Sequence, residues 1–122
     1  MQRTFTQKIA PYINAELAKS KHANSIGDYQ LEFAHLERAH VLGLESTFLH
    51  VKVHLLMLAW ALRNISIREV IGQIVRTIGA LLVTPSGLVP LGNTGGANVS
   101  PFKKMAIDPE LAVLIKKAKT GK

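Results

Sequence analysis

Residues Gly27 to Arg63 read GDYQLEFAHLERAHVLGLESTFLHVKVHLLMLAWALR, and their periodicity decides the fold. Tyr29, Phe33, Leu36, His40 and Leu44 recur at helical spacing, so a helix is expected from Tyr29 to about Leu44. Gly27 ends the helix before it and Asp28 caps its start. A second helix follows over Thr47 to Arg63, with Ser46 and Thr47 as its caps. It is apolar nearly all round, which predicts the most buried element. One stripe is Phe48, Val51, Leu55, Leu58 and Leu62; another is His50, Val53, His54, Met57 and Ala61. Only Lys52 and Arg63 mark a wet side. The connection, Gly43 to Ser46, is short, so the two helices must be antiparallel neighbours.

Upstream, Ile9, Ile13, Leu17 and Ser20 share one face of a helix from about Ile9 to Ser25, with Pro11 in its first turn. Glu16 lies inside that apolar face, and His22 points to water. Downstream, Ser66 and Glu69 form a capping box, with Ile65 and Val70 as its hydrophobic staple. The helix they open runs to about Val83, where Thr84-Pro85-Ser86-Gly87 stops it. Its apolar run, Val70 to Val83, is interrupted by Gln73 and Arg76. A Gly-rich irregular segment covers about 84–107, and Asp108-Pro109-Glu110 opens a short last helix to about Ala118. The expected fold is all-α, one domain over residues 1–122: two antiparallel helix hairpins, a Gly-rich wrap and a terminal helix.

Composition narrows the function classes. The 122 residues are 48% hydrophobic, enough for a real core. The absence of cysteine excludes disulfides, thiolate zinc sites and cysteine nucleophiles. No apolar run reaches about 18 residues and no secretory signal is visible, so a soluble cytoplasmic protein is expected. The net charge of +7 gathers at the tail, KKAKTGK, as a solvated basic end. It predicts at most non-specific attraction to nucleic acid, since no row of aromatics is present to stack bases.

Four polar residues fall on apolar faces: Glu16, His40, His50 and His54. Burying each costs about 1–3 kcal/mol unless it finds a partner. Glu37 shares a face with His40, three residues apart, and His50 stacks on His54, four apart. The antiparallel hairpin brings both pairs to one end, within reach of Glu16. Glu37, His40, His50 and His54 suit a divalent transition metal (zinc, copper, nickel or iron), with Glu16 and Met57 as optional ligands. His35, on the opposite face, is expected to be solvated. The competing expectation is a structural network in which Glu16 or Glu37 simply bonds to His40. An enzyme is not favoured: no nucleophile has a convincing neighbour, and the His-x-x-x-His pair lacks the glutamate of a zinc-peptidase helix.

Gly92-Asn93-Thr94-Gly95-Gly96 lacks the lysine and the strand–loop–helix context of a phosphate loop. A compact Ω-loop is expected. It could also serve as an anion nest, or lid the histidines with Asn93, Thr94, Gly95, Gly96 and Asn98.

Gly27 to Leu42 resembles the second helix of a tetratricopeptide-type repeat, with a weaker echo at Asn64 to Ile67. That resemblance implies a protein-interaction module, for which Trp60 and Tyr12 are the aromatics to inspect. LERAHVLG (36–43), HVKVHLLML (50–58), REVIGQIVR (68–76) and PLGNTGGANVS (90–100) carry a second resemblance. They are similar to a family of small bacterial proteins catalogued only as a domain of unknown function. This implies a small helical protein and brings no activity with it. So apolar a helix in so short a chain also allows a homodimer.

Overall fold

A computed structural model describes residues 3–121. Its helices are α1 (Phe5–Ser25), α2 (Tyr29–Gly43), α3 (Thr47–Arg63), α4 (Ile67–Val83) and α5 (Pro109–Thr120), and no strand occurs among the described residues. A 3-10 turn, Thr84–Ser86, follows α4. The fold is all-α as expected.

Side-chain caps start every helix: Thr4, Asp28, Ser46, Ser66 and Asp108 each accept a backbone N–H of the first turn. α1 begins a turn earlier than expected, because Thr4 and Gln7 form a capping box ahead of Ile9. Pro11 is therefore inside the helix, not in its first turn. Its missing N–H frees the Gln7 carbonyl, and Arg3 donates to that oxygen at 3.3 Å.

α1 packs on α2, α2 on α3, and α3 on α4, while α5 returns across α1 and α2. Ile9, Ile13, Leu36, Leu42, Val53 and Met57 form the centre of the core. Polar groups buried beside it are paired. Glu16 accepts from Arg38 at 3.0 Å and meets His35 at 2.8 Å. Glu32 accepts from Arg63 at 2.7 Å. Ser20 donates to the Glu32 carbonyl at 3.0 Å.

α3 is less uniformly buried than its composition predicts. Its His50/Val53/His54/Met57/Ala61 stripe is buried, but Phe48, Leu55 and Leu62 join Lys52 on an exposed stripe. The staple before α4 also fails: Ile65 is 84% exposed and touches no core. Instead it closes α3 in the left-handed region, φ 53°. Ser66 N–H reaches the Ala61 carbonyl at 3.0 Å and Ile65 N–H the Leu62 carbonyl at 3.4 Å. A β-branched residue is strained there by about 1–2 kcal/mol. Ile65→Gly loses little burial, and the added freedom of the unfolded chain offsets only part of the relief. Its melting temperature is expected to rise by about 3–5 °C; a lower one would show that Ile65 holds a contact of its own.

Candidate metal centre

The hairpin of α2 and α3 puts His40 and His50 close to the turn between them, and His54 one helical turn further along α3. All three are buried, and their Nε2 atoms converge. His40 and His54 are 2.9 Å apart at Nε2, His50 and His40 3.0 Å, and His54 and His50 3.1 Å.

The outer nitrogens are pinned. His40 Nδ1 lies 2.7 Å from the Asn93 carbonyl, an acceptor only, so Nδ1 carries the proton. His54 Nδ1 lies 2.6 Å from Gln73 Oε1. The Gln73 amide cannot be turned round, because its Nε2 donates to Glu69 at 2.9 Å and to the Gly95 carbonyl at 2.8 Å. His54 is thus also protonated at Nδ1. His50 Nδ1 pairs with the Thr84 hydroxyl at 2.8 Å. In the neutral rings of His40 and His54, Nε2 is then a bare lone pair, and the two lone pairs face each other.

The rings are held neutral. Burial keeps the His40 imidazole well below its ordinary 6.5, helped by the neighbouring His54 and His50. Burial and His54 lower His50 to about 3. Burial lowers His54 to about 4, with the Gln73 hydrogen bond opposing and the Arg76 charge adding to the shift. Arg76 itself is tied to carbonyls, donating to Gly72 at 3.1 Å and Val99 at 2.7 Å. Its Nε is the one buried side-chain polar atom without a partner among the described residues. The three imidazoles and Arg76 line a cavity of about 80 Å³, walled by Leu44, Val83, Val89 and Phe102. That is room for several waters or a small ligand.

The other predicted residues lie elsewhere. Glu37 is half-buried and is not among the converging ligand atoms. Burial, with the nearby Glu69 charge, raises its pKa, and Thr94 acts to lower it. Glu16 faces His35 and Arg38, so His35 is paired rather than solvated. Met57 is fully buried in the core. His22 is exposed, as expected.

The Gly-rich segment reaches the histidines. Asn93 is buried: its amide nitrogen donates to the Ser100 and Lys103 carbonyls, and its Oδ1 accepts from Gly95 N–H. Gly95, at φ 86°, lies so close to His40 that a Cβ would fall 2.5 Å from the ring. Ala97 N–H donates to Glu69 at 2.7 Å. Gly96 is buried and Asn98 is exposed. Trp60 and Tyr12, the aromatics of interest for a partner surface, are half-buried. Trp60 packs against Phe33 with the rings tilted by 55° and donates to the Tyr29 carbonyl.

Gln73, Thr84 and Arg76 were not among the predicted site residues. The signal for Gln73 and Arg76 is a polar stripe on α4, Glu69, Gln73 and Arg76 at i, i+4 and i+7, in a helix otherwise apolar but for Arg68 and Thr77.

Five helices that gather three neutral imidazoles into one buried triangle define a small all-α protein with a histidine-lined candidate metal centre. The chain belongs to the DUF3703 family, described as proteins of unknown function, whose family model matches residues 7–115. No curated protein and no solved structure matches it.

Proposed function

We propose that the chain binds one divalent transition metal through Nε2 of His40, His50 and His54. The observation that carries this reading is the triangle of Nε2 atoms, at 2.9–3.1 Å, whose protons are held on the far side of at least two rings. At most the His50 ring can supply a proton to bridge three nitrogens. A cation satisfies all three lone pairs at once.

The dimensions suit such an ion. With nitrogens about 3.0 Å apart, a metal about 1 Å out of their plane lies about 2.0 Å from each, a normal zinc–imidazole distance. A slight opening of the triangle, to about 3.3 Å, gives tetrahedral angles. The outer hydrogen bonds supply what metal-bound histidines ordinarily have: a carbonyl behind His40, and a glutamine tied to a carboxylate behind His54. Three ligands leave a fourth position, and the adjoining cavity offers it a place for water or a small ligand. Arg76 beside the site favours an anion or hydroxide there. Zinc, nickel, copper and iron all accept imidazole nitrogen. Glu37, Glu16 and Met57 are not part of the proposed ligand set. The alternative is a structural histidine network within a protein-interaction module, and that network binds no metal.

Calorimetric titration of metal-free, untagged protein with zinc at pH 7 tests the reading. One zinc per chain is expected. His54→Ala should weaken binding about 100-fold or more, and His22→Ala should leave it unchanged. No zinc uptake, or equal uptake by His54→Ala, would leave the structural network standing.

A further inference from the structure

α4 is built inside out. Its buried residues are Gln73 and Ala80, and Glu69, Gln73 and Arg76 each make a hydrogen bond to the loop at 95–99. Its apolar residues face outward: Ile67 is 72% exposed, and Ile71, Ile74, Ile78 and Leu81 are about half exposed or more. α4 packs on α3 and the 3-10 turn and on no other helix, so nothing within the described residues covers this face. Val75 and Leu82 flank it, and Phe48 and Leu55 of α3 continue it across a shallow groove that Leu81 closes.

The spacing of the outward residues identifies the occupant. Ile67, Ile71, Ile74, Ile78 and Leu81 follow one another at intervals of four, three, four and three, the seam of a coiled coil. The seam carries no charge and is nearly palindromic about Ile74. Two antiparallel copies of α4 crossing at Ile74 would set Ile71 against Ile78 and Ile67 against Leu81. A two-fold interface needs such self-complementarity, and an unrelated partner would not. The outward apolar surface of α4 and α3 together is on the order of 800 Å², what one side of a standard interface contributes and more than the usual patch on a monomer. A membrane-lying helix keeps its polar face in water, whereas here that face is closed by the loop.

We infer that a second copy of this chain covers the α3–α4 face, with α4 packed antiparallel on its mate across a two-fold axis at Ile74. This stands independently of the metal reading.

Sedimentation equilibrium from about 1 to 100 µM is expected to give twice the 13.3 kDa chain mass. Ile74→Glu places two carboxylates face to face on the axis. It should weaken the dimer about 100-fold or more while leaving helicity unchanged. Because the chain has no cysteine, Ile74→Cys provides a check that survives if Ile74→Glu fails to fold. Oxidation should link it to its mate, whereas Lys116→Cys, on the exposed side of α5, should stay unlinked. A monomer throughout, a dimer indifferent to Ile74→Glu, equal cross-linking of the two cysteine variants, or a monomer that instead sediments with phosphatidylglycerol vesicles would each overturn the inference.

Discussion

Metal-free protein is expected to lose its cooperative fold on acidification between pH 6.5 and about 4, and bound zinc to move that loss to lower pH. The unfolded chain protonates its histidines near pH 6.5. The folded chain resists until about pH 4 at His54 and about pH 3 at His50, with His40 held well below 6.5 as well. Between those values the unfolded state binds more protons. Stability is therefore complete above pH 6.5 and falls as the pH falls. At pH 5 His50 and His54 each remove about 2 kcal/mol, a large share of the roughly 5–15 kcal/mol of a small domain, and His40 acts in the same direction. Glu16 extends the effect downward. Burial raises its pKa, but hydrogen bonds from His35 and Arg38 outweigh that and hold it below 4.5. Helicity followed against pH, in chelator and in zinc, checks both parts. A fold indifferent to pH between 7 and 4 in chelator would show that these rings take up protons in place. An unchanged midpoint in zinc would show that no metal reaches them.

Gly95→Ala should damage the loop and the histidine triangle together. Its φ of 86° already disfavours any side chain, and the new Cβ would lie 2.5–2.7 Å from three atoms of the His40 ring. Neither side can yield. The His40 ring is held at Nδ1 by Asn93 and packed against His50 and His54, while Gly95 is fastened through its carbonyl to Gln73 and through its N–H to Asn93. Backbone strain and overpacking together are expected to cost about 3 kcal/mol. Relief requires either the loop to lift or His40 to leave the triangle, so zinc affinity should fall about 100-fold. Urea unfolding and zinc titration of the variant measure the two effects. Wild-type zinc affinity in a destabilised variant would show that the loop supports the fold but not the metal.

The fold was largely legible because the chain marks its own helices. Asp28, Ser46, Ser66 and Asp108 cap where a cap was expected, and the short turn after Gly43 sets α2 against α3. That turn also brings His40 opposite His50 and His54. Glu37 was placed beside them because three residues bring two side chains onto one face. Yet that spacing still separates them by about 60° around the axis, and only His40 joins the converging ligand atoms. Glu16 was claimed by Arg38 and His35, whose helical phase suggested solvent but which α1 covers. The larger omission concerns α4. Gln73 and Arg76 look like interruptions of an apolar face only if that face points inward. Periodicity gives the stripe, not which side is buried. Here the loop at 93–99 supplies enough backbone partners to make the polar side the inner one.

The central claim is that His40, His50 and His54 share one metal ion. X-ray absorption of zinc-loaded, untagged protein at pH 7 counts the imidazoles around the ion directly. The account predicts three at about 2.0–2.1 Å with one further light ligand. A shell of oxygens alone, or a spectrum unchanged in His40→Ala, would contradict it.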